Sequence, residues 1–173
     1  MVVSGRAIAA QDAVALFLEE FVTLAEALIE RKSLDSRINT LSNSIQENLY
    51  RAEDEQSEES PAKMLEELES VLAQAQSLNV AINLTNVNTA LGEHGTIMHA
   101  IAGRDALKRK AGIIDAILLR SRYRDKRTKT DDIKFVQALD LKTLRSLKDR
   151  IAAEARRIDM EIQKANWVTE LSE

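Results

Sequence analysis

Cysteine is absent from this chain of 173 residues, proline occurs once, glycine five times, and only six residues are aromatic. Without a thiol there is no cysteine nucleophile, no iron–sulfur cluster and no thiolate-bound zinc. No run approaches the roughly 18 apolar residues that a membrane-spanning helix needs. The best imitation of a secretion signal, Arg6 followed by Ala7–Ala10 and Ala13–Leu18, is interrupted by Gln11 and Asp12 and is too short. Cytoplasmic residence is therefore expected. Collagen-like, disulfide-scaffold and disordered compositions are excluded as well, because 45% of the residues are hydrophobic and 30% are charged. A chain of this length withdraws roughly two thirds of its unfolded surface from water and needs no covalent staple.

What is present favours helices: Ala, Leu, Glu, Arg and Ile abound, and turn formers are few. From Leu24 to Leu49, Leu24, Leu28, Leu34, Ile38, Leu41, Ile45 and Leu49 mark one amphipathic face, with a skipped turn at Arg31. The segment 51–60 carries five carboxylates and no large apolar side chain, so it reads as a solvated acidic loop. Ser60 and Pro61 predict a new helix start, with serine as cap and proline at the first helical position. The second helix presents Leu65, Leu68, Leu72, Ala75, Asn79, Ile82 and Asn86 at alternating steps of three and four, flanked by Met64, Val71 and Leu78. That is a heptad seam containing two asparagines.

Asn88, Gly92 and Gly95 supply breakers before Thr96 opens a third helix. Its inward stripe is expected to be Ala100, Gly103, Leu107, Ala111, Ile114 and Leu118, with small residues permitting close approach. A basic loop follows at 121–132. Asp140 predicts the cap of a fourth helix, whose Leu144, Leu147, Ile151, Ala155, Ile158, Ile162 and Ala165 keep helical spacing. Four helices of about 25 to 28 residues, each near 40 Å long, favour packing side by side. The expected class is all-α, an antiparallel four-helix bundle or paired long αα-hairpins, with a short β-ribbon between about 84–91 and 133–139. The domain reading is an N-terminal extension at 1–23 and a single helical-bundle domain at 24–171.

Charge is unevenly distributed. Residues 1–100 hold 6 basic and 16 acidic residues, whereas residues 101–173 hold 18 and 12. Opposite halves of this kind attract, within one chain or between copies.

The residues that stand out for function fall into four groups. Asn79, Asn83 and Asn86 form an amide row that either fixes helix register or lines a polar pocket. Arg104 and Asp105 beside the narrow apolar face of the third helix demand partners across the bundle, for which Asp149, Arg156 and Asp159 are placed. Asn166 and Trp167 end the fourth helix, with the ring expected to close one end of the core. Around Tyr123, the cations Arg120, Arg122, Arg124, Lys126, Arg127, Lys129 and Lys134 have the composition of a phosphate-gripping, base-stacking surface, diluted by Asp125, Asp131 and Asp132. His94 and His99 are spaced wrongly for a helical metal clamp. No phosphate-loop, dinucleotide, nucleophile-elbow or zinc-protease motif occurs. No metal, cofactor or catalytic group is expected.

Five separated stretches combine into a pattern: LAEALIERKSLDSRI at 24–38, INLTN at 82–86, RDAL at 104–107, RYRDKRTKTDDIKFV at 122–136 and RRIDMEIQKANWVTEL at 156–171. Together they resemble a family of small bacterial helical proteins of unknown function, some of which carry the name septicolysin. The resemblance implies a helical, cytoplasmic, oligomeric protein with no activity to transfer, and it begins after residue 23, with Val22 as an alternative start. Lysis, which that name suggests, finds no support in the residues: there is no export signal, no pore-lining alternating strand and no aromatic girdle. The functions expected, in order, are a self-associating scaffold or binding module, an RNA- or nucleotide-binding protein acting through 120–134, and an enzyme of unrecognised type, with the cytolysin of the family name as the last alternative.

Overall fold

The computed structural model describes residues 23–50, 60–124 and 137–172, with the side chains of 122–124 left aside. Four long helices account for most of these residues: α1, Leu24–Glu47; α2, Pro61–Asn88; α3, Ile97–Arg124; and α4, Leu141–Val168. A short 3-10 turn, Gly92–His94, precedes α3. Among the described residues there is no sheet, only two isolated antiparallel bridges, Thr23 with Glu170 and Ala90 with Thr96. The class is all-α, and the packing within each helix pair is that of a helical bundle.

Each start has a local cause. Thr23 and Glu26 form a reciprocal capping box at α1, with the Thr23 amide donating to Glu26 Oε2 at 2.9 Å and the Glu26 amide donating to Thr23 Oγ1 at 3.3 Å. Pro61 begins α2, whose missing N–H costs nothing at that position. Ser60 contributes its backbone carbonyl rather than the expected side-chain cap. At α3 the third helical residue is histidine rather than glutamate. Thr96 Oγ1 and His99 Nδ1 lie 2.9 Å apart, and the His99 amide donates to Thr96 Oγ1 at 3.4 Å. Asp140 caps α4 by accepting from the amides of Lys142 and Thr143. The turn before α3 needs Gly95, whose φ of 81° would strain any larger residue.

The chain divides into two compact units, 1–89 with 166–173, and 90–165. In the first, α1 packs on α2. Leu24, Ala25, Ala27 and Leu34 are buried from α1, as are Met64, Val71, Ala75, Leu78, Ala81, Ile82 and Thr85 from α2. The tail after α4 belongs to this unit and ties both helices: the Leu24 amide donates to the Thr169 carbonyl at 2.8 Å, and the Ser172 amide donates to Thr85 Oγ1 at 2.8 Å. In the second unit Ile114 and Leu118 of α3 meet Ile151 of α4, with Leu107, Ala111, Leu141, Leu144 and Leu147 packed around them.

Three expectations are corrected. The proposed ribbon fails because Leu84–Asn88 complete α2 as helix and residues 137–139 form no strand; residues 133–136 lie outside the described residues. Packing of Ile82 and Thr85 overrides the weak helix propensity of the Asn- and Thr-rich segment. The basic segment does not start at 121 as a loop, since α3 runs through Arg124. Gly103 faces outward, and a Cβ there would touch nothing within 4 Å, so it mediates no close helix approach. The N-terminal extension to residue 22 and the acidic segment 51–59 lie outside the described residues.

Candidate functional site

The buried seam of α2 is Met64, Val71, Ala75, Leu78, Ile82 and Thr85, with Leu68 half-buried; it shares Leu68, Ala75 and Ile82 with the seam that runs through the asparagines and is shifted by one position at the others. Leu65 and Leu72 are instead about half exposed, at 50% and 47%. Both registers keep steps of three and four, so periodicity alone does not choose between them. Desolvation does: a buried amide without partners costs about 1–3 kcal/mol, and the observed register leaves Asn83 exposed and Asn79 and Asn86 half-buried at the rim. The polar side chain that does enter the core is Thr85. Its hydroxyl donates to the Ala81 carbonyl at 2.8 Å and accepts from Ser172, satisfying both of its roles. Sequence reasoning missed Thr85, although its spacing from Ala81 is that of a hydroxyl bonding back to its own helix.

Arg104 finds one of the partners expected for it. Its Nη1 lies 2.8 Å from Asp159 Oδ1 on α4 and its Nε 2.9 Å from Asp105 Oδ1, with Lys108 Nζ 3.6 Å from Asp159. Hydrogen bonding to Asp105, and secondarily to Asp159, raises the Arg104 pKa further. The Arg104 bond in turn holds the Asp159 carboxyl below its ordinary range. Two carboxylates engage this guanidinium through Nε, Nη1 and Nη2, so the cluster is a clasp between α3 and α4.

Asn166 is buried while Trp167 is 59% exposed, the reverse of the expected closure by the ring. The α4 stripe runs through Ile151, Ala155, Ile158, Ile162 and Ala165, and a step of about 100° per residue puts position 167 nearly opposite it. His94 and His99 serve separate ends: His94 Nε2 lies 3.1 Å from Glu161 Oε2, and His99 caps α3. Among the described residues no group of three or more His, Asp or Glu is placed to hold a metal. Arg120 is exposed, Arg122, Tyr123 and Arg124 form the last turn of α3, and Lys126, Arg127, Lys129 and Lys134 lie outside the described residues.

One depression of about 270 Å³, lined by Asp115, Leu118, Leu119, Arg145, Lys148 and Asp149, is open and bridged by a Lys148–Asp115 pair at 2.7 Å. Its two acidic and two basic side chains sum to zero charge. The most distinctive surface is on α2. From Ser70 to Gly92 no side chain is charged, in a protein where 30% of residues are. Along this stretch Leu72, Val80, Leu84 and Val87 remain between 43% and 53% exposed. Depletion of charge together with exposed aliphatic side chains is the compositional mark of an interface core.

Residues 31–171 match the Family of unknown function (DUF6847), and the chain belongs to that family. It is also similar to a solved structure described as a functionally unknown conserved protein from Corynebacterium diphtheriae. The two share 32% sequence identity and a TM-score of 0.80, over 88% of this chain and 99% of that one. No curated protein matches. Neither the family description nor the structure carries the septicolysin name.

Proposed function

We propose that this member of the DUF6847 family is a self-associating helical module that serves as a scaffold or binding platform rather than as a catalyst. The observation that carries this reading is the charge-free stretch of α2 from Ser70 onward with its exposed aliphatic side chains. A helical stretch without charged residues around its circumference is stable in water when both faces are covered, and α1 covers one face of α2. The asparagines at the rim support partner choice, since amides there reward one alignment over others. Among the described residues no helix is long and apolar enough to cross a membrane. Sedimentation of the full chain tests it: a mass above 19.3 kDa at micromolar concentration is expected, and a monomer throughout would refute it.

The basic sequence at 120–134 supports a second reading, association with RNA. Titration with single-stranded RNA at two salt concentrations separates the two: steeply salt-dependent binding that is lost when Arg122, Arg124 and Arg127 are neutralised supports it, and absence of binding overturns it.

A further inference from the structure

The exposed side chains of α2 are arranged symmetrically about Gln76. Leu72 and Val80 each stand four residues from it, and Leu65 and Val87 each stand eleven away. At about 100° per residue these five positions fall within a stripe about 80° wide, distinct from the face that packs on α1. All four apolar members are between 45% and 53% exposed, and Gln76 is exposed between them. We infer that two copies of this chain meet along this stripe with their α2 helices antiparallel, related by a two-fold axis through Gln76.

A two-fold contact is self-complementary: if residue i meets residue j, then j meets i. An antiparallel pair centred on Gln76 sets Leu65 against Val87 of the other copy and Leu72 against Val80, so every apolar side chain meets another. The one charged residue within the stripe, Glu69, lies seven residues before Gln76, and Asn83 lies seven after it. Each carboxylate therefore faces an amide donor instead of its own copy, and no like charges meet. At the axis Gln76 meets itself. A primary amide is suited to this, because it carries donor and acceptor together and can pair reciprocally with its twin. A parallel pair would instead bring Glu69 against Glu69. α1, α3 and α4 offer no comparable neutral surface, since charged side chains recur along each of them.

This inference rests on the self-association proposed above and adds the face, the direction and the axis. The chain has no cysteine, so single introduced cysteines report proximity without background. Under mild oxidation Gln76→Cys is expected to form a covalent dimer. Leu72→Cys and Val80→Cys alone are expected not to, because each would lie about 12 Å along the axis from its copy, beyond disulfide reach of about 7 Å between Cα atoms. Mixing those two variants is expected to link one to the other. Self-linking by Leu72→Cys and Val87→Cys would overturn the antiparallel arrangement. Absence of any link while the wild type remains oligomeric would overturn the choice of face and leave the self-association reading standing. A monomeric wild type would sink both. Leu72→Glu is expected to yield monomers of unchanged helicity, which separates a lost contact from a lost fold.

Discussion

The Ser172 amide donates to Thr85 Oγ1 across 87 residues of sequence, at 2.8 Å. Thr85 is fully buried, and its hydroxyl proton is already committed to the Ala81 carbonyl. The end of the chain is therefore fastened by the one polar side chain in the α2 seam. Thr85→Val keeps the shape and removes both bonds, leaving the Ser172 N–H without its acceptor. A loss of about 1–2 kcal/mol in urea denaturation and faster amide exchange at Ser172 are expected, with Thr85→Ser retaining most of the stability. An unchanged midpoint for Thr85→Val would show that the fastening contributes nothing.

The rotated seam of α2 makes residues of the same helix unequal. Leu78→Ala, at a fully buried position, is expected to cost about 2–5 kcal/mol, whereas Asn83→Ala should change monomer stability by no more than about 0.5 kcal/mol. Equal costs at the two positions, read from denaturant midpoints, would contradict the register.

Much of the fold was legible because single residues forced it. Pro61, Thr96 and Asp140 located three helix starts to the residue, and the α4 stripe from Ile151 to Ala165 is buried as its spacing predicts. The seam of α2 was not legible, because Met64 and Leu65, Val71 and Leu72, and Leu78 and Asn79 offer two registers of equal periodicity, and only desolvation of the amides separates them. The exposure of Trp167 follows from its angular position on α4, which ring size alone does not reveal. The Arg104–Asp159 clasp was foreseen from the cost of an unpaired charge, while the Thr85–Ser172 tie joins segments too distant in sequence for spacing to reveal.

Gly103 is helical, exposed and surrounded by open space. Gly103→Ala is therefore expected to stabilise the protein by about 0.5–1 kcal/mol, by reducing the freedom of the unfolded chain and adding helix propensity. A lowered melting temperature would reveal a neighbour packed against this position in the assembly.

The Arg104–Asp159 pair gives the stability a defined acid dependence. Because the Asp159 pKa is lowered in the fold, its stabilisation is complete above the unfolded value of about 3.9 and is lost as pH falls through the lower folded value. The carboxylate side chain is 37% exposed, so solvent screening limits the contribution to about 1 kcal/mol or less. Asp159→Asn should be less stable than wild type at pH 7 and converge with it in strong acid. A gap that persists undiminished at low pH would show that Asp159 acts through packing rather than charge.

Self-association through α2 is the claim on which the functional account stands, and sedimentation equilibrium of the wild type beside Leu72→Glu measures it directly. The account predicts at least twice the 19.3 kDa chain mass for the wild type and the single-chain mass for the variant, with equal helicity. A wild type that sediments as one chain across micromolar concentrations, or a variant that keeps the wild-type mass, would contradict it.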